Sequence, residues 1–387
     1  MKLADRITSV KPSVTLAITS KAKKMKAAGE DVVSFGAGEP DFDTPQTIKQ
    51  AAIKAIEQGF TKYTPAAGLP ELKETVCSKL KEDNSLDYQP SQIVISCGAK
   101  HSLYNIFQVL CQAGDEVIIP VPYWVSYPEM VKMAQAQPVF VKTSLETGFK
   151  ITPDDFKQAL TPNTKAVIIN SPSNPTGTVY TREELTKIAQ IAVKHKVHII
   201  SDEIYETLLY DGLNHVSAAS LSKDIYDWTI TVNGLSKSHS MTGWRIGYLA
   251  ASLEIAQAVT SLQSHSTSNP ASISQKAAIA AFDCDKRELK KMADEFCSRR
   301  DYMVQEINNI KNLSCFKPSG AFYVFCCISQ TGLSSVDFAG RLLNEYKTAV
   351  IPGSGFGQDD YIRLSFATSM ANITEGLSRL SEFVSKL

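Results

Sequence analysis

The sequence predicts an α/β fold: a large domain on a mostly parallel sheet flanked by helices, followed by a smaller α+β domain. Three observations carry it. From about residue 46 the short apolar runs QIVIS, DEVIIP, KAVIIN, VHIISD, WTITV and RIGYLA recur, several separated by amphipathic helical stretches, and strands apolar on both faces mark a sheet covered on both sides. Near residue 286 the texture changes to a long charged helical pattern and then strand-like GAFYVFCCI and YIRLSFA. At 387 residues the chain also exceeds what one simple core holds. These signals divide it into an arm over 1–45 packing with the small domain, a large domain over 46–285 and a small domain over 286–387.

Capping and periodicity place the helices. In TPQTIKQAAIKAIEQG, Thr44 is expected to cap, Pro45 to suit the first turn and Gly59 to stop the helix. TREELTKIAQIAVKHK carries a capping box in Thr181 and Glu184. KRELKKMADEFCSRRDYMVQEINNI reads as a long helix, and ANITEGLSRLSEFVSKL closes the chain as an amphipathic one.

Composition excludes several function classes. Forty basic residues balance forty acidic ones without a long run of either sign, so neither nucleic acid nor an anionic membrane is an expected partner. The eight cysteines contain no C-x-x-C pair, which argues against a zinc site or a disulfide framework and fits a reducing cytoplasm. The N-terminus lacks the apolar core of a signal peptide, and nowhere do eighteen apolar residues run together. His195 and His198 have no partner cluster, so no metal is expected. PGSGFG at 352–357 lacks the strand, helix and acidic residue of a dinucleotide fingerprint. Small-molecule chemistry is what remains.

In an open α/β sheet, ligands bind at the carboxyl ends of the strands. Asn170 ends one apolar run and opens into SPSNPTG, Asp202 ends another and continues EIY, and TITVNGLS leads to Lys237. One rim would then present Asn174, Asp202, Tyr205 and Lys237. Singly these are a turn, a cap and a solvated lysine; in this order they point to a site.

With GAGEPDFDTP, KYTPAAGLPELK, SCGAK, PYWVSYPE, NSPSNPTG, SDEIY, SKSHSMTGWRIG and PSGAFYV, the chain resembles the class I aminotransferases, pyridoxal 5'-phosphate enzymes of the aspartate aminotransferase fold. The resemblance runs from KPSVT to YIRLSFAT. It implies that Lys237 forms the Schiff base with the cofactor aldehyde and serves as the proton-transfer base, and that Asp202 faces the pyridine nitrogen. Tyr205 and Asn174 match the pair on the phenolic oxygen, and Trp124 the plate stacked on the ring. Gly98, Ala99 and Lys100 match the phosphate turn at a helix N-terminus, Arg245 the phosphate arginine, and Tyr63 a tyrosine that reaches the neighbouring subunit's phosphate, which implies a homodimer with shared sites. Arg363 matches the clamp on the substrate α-carboxylate, with Gly38 beside it. KPSVT and GAK resemble a branch in which Ser13, Thr15 and Lys100 read the distal carboxylate of aspartate or glutamate, some members also accepting prephenate. The implied activity is ping-pong transfer of an amino group between amino acids and 2-oxo acids. Another aminotransferase specificity, or a carbon–sulfur lyase, would use the same constellation. One departure stands out: many family members carry a hydroxyl residue three positions before the lysine, where this chain has Gly234.

Overall fold

The computed structural model describes residues 4–8, 10 and 14–387. Among these residues twelve strands form three sheets. The first strand, β1 (Val33–Ser34), belongs to a two-stranded sheet. Seven strands come next: β2 (Ile93–Ser96), β3 (Glu116–Val121), β4 (Gln137–Lys142), β5 (Thr164–Asn170), β6 (His198–Asp202), β7 (Thr229–Gly234) and β8 (Gly247–Ala250). They make one sheet in the order β2-β8-β7-β6-β5-β3-β4. Strands β3 to β7 run parallel, whereas β8 is antiparallel to both its neighbours.

Alternation along each strand explains why helices cover both faces. Val117, Ile119, Ile168 and Ile200 point to one core, with Leu103, Phe107, Met130 and Val259 from the covering helices. Their neighbours Ile118, Val167, Ile169 and Ile199 point to the opposite core, with Phe156, Leu185 and Ile188. The apolar runs seen in the sequence are therefore strands with no solvent face. Strand β4 had no such signal: it contains Pro138, lies at the sheet edge and leaves Phe140 exposed.

Beyond residue 286 the helices Lys286–Asn309, Ser335–Tyr346 and Met370–Ser385 surround β9 (Tyr323–Cys327), β10 (Thr348–Ala349), β11 (Ile351–Pro352) and β12 (Tyr361–Ser365). β11, β12 and β9 form an antiparallel sheet, while β10 pairs with β1. Phe296, Met303, Phe338, Leu342, Ile373 and Leu380 share one core with Val324, Ile362 and Leu364, and Val33 and Phe35 of the N-terminal segment complete it.

The capping box of Thr181 and Glu184 forms. The cap expected of Thr44 does not: Pro45 takes the N-cap position without a side-chain bond. The Thr44 hydroxyl instead donates to Ser240 O at 2.7 Å and accepts from Trp244 Nε1 at 3.0 Å, a tertiary use that sequence spacing cannot reveal. No described helix is long and apolar enough to cross a membrane.

Candidate active site

The strand directions determine which residues share the rim. Parallel β3, β5, β6 and β7 bring Trp124, Asn174, Asp202 and Lys237 to their carboxyl ends. Because β8 is antiparallel to β7 and β2, β2 runs with the parallel set and delivers Gly98, Ala99 and Lys100. The same reversal brings the amino end of β8, and hence Arg245, to that rim. These residues, apart from Gly98, line a cleft of about 790 Å³, together with Gly38, Tyr205, Arg363 and Thr15. Gly98 lies against the Arg245 guanidinium. Ser13 lies outside the described residues. Tyr63 does not line the cleft and is 90% exposed.

At one end is an anion seat. The helix Ala99–Leu110 starts at Gly98, whose φ of 87° suits glycine. A Cβ there would sit 2.4 Å from Arg245 Nη2. Arg245 is held over the helix terminus by donating to Thr242 O at 2.9 Å and Cys97 O at 3.1 Å, so backbone N–H groups and a guanidinium converge as a phosphate requires.

At the centre, Lys237 Nζ donates to Gly38 O at 2.5 Å. Burial pulls its pKa down to about 8; Glu39 opposes this, while Arg245 and Arg363 add to it. The amine is thereby closer to its nucleophilic form at neutral pH. Burial pushes the Asp202 carboxyl up to about 6, held from rising further by bonds from Tyr127 Oη at 2.6 Å and Ile204 N at 3.3 Å. Trp124 meets Tyr127 edge-on at 5.2 Å between ring centroids, and Lys100 Nζ lies 4.9 Å from the Trp124 ring centre. An aromatic plate, a carboxylate, an amine and an anion seat are the donor set that a phosphorylated, electron-poor aromatic aldehyde needs.

At the far end Arg363 is 2% exposed. It donates to Asn174 Oδ1 at 3.0 Å and Gly36 O at 3.2 Å and stacks on Tyr323 at 4.3 Å, yet no carboxylate among the described residues pairs with it. Burial lowers its pKa from the usual arginine value. Arg363 Nε and Thr15 Oγ1, both buried, have no hydrogen-bond partner among the described residues. Two orphaned polar atoms in one cleft point to a ligand that satisfies them.

A family model described as Aminotransferase class I and II matches residues 30–380. The chain belongs to this family. The aspartate aminotransferase of Geobacillus stearothermophilus is 53% identical, with 99% of each chain covered. That of Bacillus subtilis (strain 168) is 51% identical over 100% of both, and the aspartate/prephenate aminotransferase of Cereibacter sphaeroides is 46% identical over 100% of this chain and 99% of the other. Among solved structures, aspartate aminotransferase from Thermus thermophilus with maleate superposes with a TM-score of 0.95 at 42% identity, covering 99% of each chain.

Two residues of this aminotransferase's cleft could not be picked out by sequence. Tyr127, buried against Asp202, lies three positions after Trp124 at the start of the helix Tyr127–Met133, inside the motif PYWVSYPE. Tyr323 shares a 2.9 Å bond with Tyr205 through their hydroxyls, and its ring lies against Arg363. Burial raises the Tyr205 phenol well above its ordinary pKa, so it stays a neutral hydroxyl. The Gly234 departure also has a physical reason. A Cβ at Gly234 would come within 2.9 Å of Gly247 Cα, and one at Gly247 within 2.2 Å of Ala99 N. No hydroxyl side chain fits there. Elsewhere Glu203, Glu206 and His215 lie close enough to bind a cation, but Lys79 and Asn84 engage Glu206, and His215 Nε2 engages Glu203 at 2.9 Å.

Proposed function

We propose that this aminotransferase uses pyridoxal 5'-phosphate to pass the amino group of L-aspartate to 2-oxoglutarate, giving oxaloacetate and L-glutamate. The observation that carries the proposal is the buried, carboxylate-free Arg363 in the same cleft as Lys237 and Asp202. When bound, the cofactor supplies an aldehyde that takes the amino group and a ring that withdraws electrons from the substrate α-carbon. Arg245 and the turn Gly98–Lys100 would hold its phosphate. Asp202, fixed by Tyr127, would keep the ring nitrogen protonated, while Trp124, Asn174 and Tyr205 hold the ring in place. Lys237 is the base that takes the substrate α-proton and returns it on the other side of the exchange.

Arg363 would clamp the α-carboxylate with two parallel bonds, beside Gly38. Lys100 and Thr15, with Ser13, would read the distal carboxylate. The maleate named with the Thermus enzyme is itself a small dicarboxylate, which supports this reading. Tyr63, almost wholly exposed, suits a residue that reaches a second copy's phosphate seat, so the proposed unit is a homodimer. We also assign residues 46–285 and 286–387 to large and small domains, with 1–45 accompanying the latter.

A panel of amino donors, each with 2-oxoglutarate, oxaloacetate or prephenate as acceptor, tests the proposal. Aspartate with 2-oxoglutarate should turn over fastest and leave oxaloacetate. Release of pyruvate and ammonia without an acceptor would replace transamination by a lyase reaction. Prephenate as the better acceptor would move the chain to the specificity named for its Cereibacter relative.

A further inference from the structure

The chain as a whole is electrically balanced, with forty basic and forty acidic residues; the cleft is not. Its lining includes Lys23, Lys26, Lys100, Lys237, Arg245 and Arg363 against only Glu39 and Asp202. In a transaminase four of these cations have tasks: Lys237 is the base, Arg245 faces the phosphate, and Arg363 and Lys100 face substrate carboxylates. Lys23 and Lys26 remain unassigned.

Both belong to the helix Val14–Ala27, which contains four lysines and no acid. Thr15, Thr19, Ala22, Lys23 and Lys26 are the helix residues that line the cleft, a spacing that puts them on one face. Ala22 anchors that helix against Val32, Leu343 and Ala349, so the face is held by packing. Lys21, in contrast, donates to Asn344 Oδ1 at 2.7 Å, and Lys24 lies off the cleft. Lys23 and Lys26 are exposed and have no ion-pair partner among the described residues. Two unneutralised ammonium groups at the edge of a low-dielectric cleft concentrate anions in it.

We propose that Lys23 and Lys26 form a cationic rim that selects substrates by net charge, favouring dianionic 2-oxo acids over monoanionic amino acids and both over zwitterions of zero net charge. The inference rests on the transaminase reading and adds to it a discrimination made before any side chain is touched. It acts through space, so it differs from the contact assigned to Lys100. Its strength should track ligand charge and fade with salt, since the Debye length falls from about 10 Å at 0.1 M to about 3 Å at 1 M.

The test compares the holoenzyme with K23Q/K26Q, and with K24Q as a control of equal charge change per site off the cleft. At low ionic strength the double variant should lose about 3–10-fold in kcat/KM for 2-oxoglutarate, about twofold for aspartate and nothing for alanine, with kcat unchanged. The differences should vanish near 1 M salt, and K23E/K26E should roughly square each loss. K24Q should behave as the parent. A loss equal for all three ligands, a loss that persists in high salt, or an unchanged 2-oxoglutarate value overturns the rim. Equilibrium binding of maleate, measured without turnover, separates this outcome from failure of the transaminase reading. Salt-sensitive maleate binding that depends on Lys23 and Lys26 keeps the rim even if no donor reacts; maleate binding indifferent to both lysines overturns it.

Discussion

Arg300 and Arg363 are the most deeply buried arginines among the described residues, and they are balanced differently. Arg300, with no exposed surface, sits between Asp211 and Asp301 at 2.8 and 2.7 Å and stacks on Tyr210 at 4.6 Å. Burial opposes its charge, but the two carboxylates win and its pKa is raised. Arg363 also stacks on a tyrosine, yet an amide and a carbonyl oxygen are its hydrogen-bond partners and its pKa is lowered. Arg300 brings its counter-charge with it. Arg363 brings none, and under the proposed function the α-carboxylate of a bound substrate would supply it.

The contrast is sharpest when each arginine is removed. Arg363→Ala should lower kcat/KM for every amino acid by about 10²–10⁴, the loss of two charge-assisted bonds of about 1.5–3 kcal/mol each. Its melting temperature should hold or rise, because an uncompensated buried cation has gone; a destabilised variant with normal kinetics would reverse the comparison. Arg300→Ala should show the opposite pattern: about 2–4 kcal/mol of lost stability in denaturant titration, the half-exposed aspartates limiting the cost, with kcat/KM preserved.

Lys237 is a third buried cation. Its folded pKa of about 8 lies below the roughly 10.4 of an unfolded lysine. Between those values the unfolded chain holds a proton that the folded chain has released, so stability of the cofactor-free protein rises with pH across that window. Lys237→Met should therefore be more stable than the parent at pH 7 by about 3 kcal/mol, and the advantage should shrink from pH 8 to 10.5 in thermal melts. A pH-independent difference would mean that the lysine is not buried as a cation. Lys100→Ala is a more selective change than Arg363→Ala. It should cost aspartate and glutamate about tenfold to a few hundredfold in kcat/KM while sparing alanine; a uniform loss would reassign Lys100 to the phosphate turn.

Much of this was legible in the sequence because chemistry and strand ends coincide. Apolar runs located β2, β3, β5, β6 and β7; the polar residues after β5, β6 and β7 marked the rim, while those after β2 and β3 were reached through the family resemblance. The antiparallel course of β8 was not legible, since RIGYLA reads the same in either direction. Strand β4 was hidden by Pro138 and by the mixed environment of an edge. Tyr127 and Tyr323 lay inside motifs already singled out, but a hydroxyl's partner is a tertiary fact: Tyr127 meets Asp202 from 75 positions away in the chain. The absence of a carboxylate at Arg363 is likewise visible only when its surroundings are assembled.

The close backbone approach of Gly234, Gly247 and the Gly98–Ala99 peptide has a consequence for how the site could change over time. Strands β7 and β8 and the start of the Ala99–Leu110 helix touch there with no side chain between them. The main-chain spacing between the strand that leads to the amine and the anion seat therefore has no side chain to adjust it, and a substitution at either glycine of this chain requires the backbone itself to shift. Such a joint holds its dimension as long as the chain is folded and loses it in one step. Lineages built on it should explore new substrates through the far end of the cleft, around Arg363 and the Val14–Ala27 helix, where side chains rather than main chain set the distances.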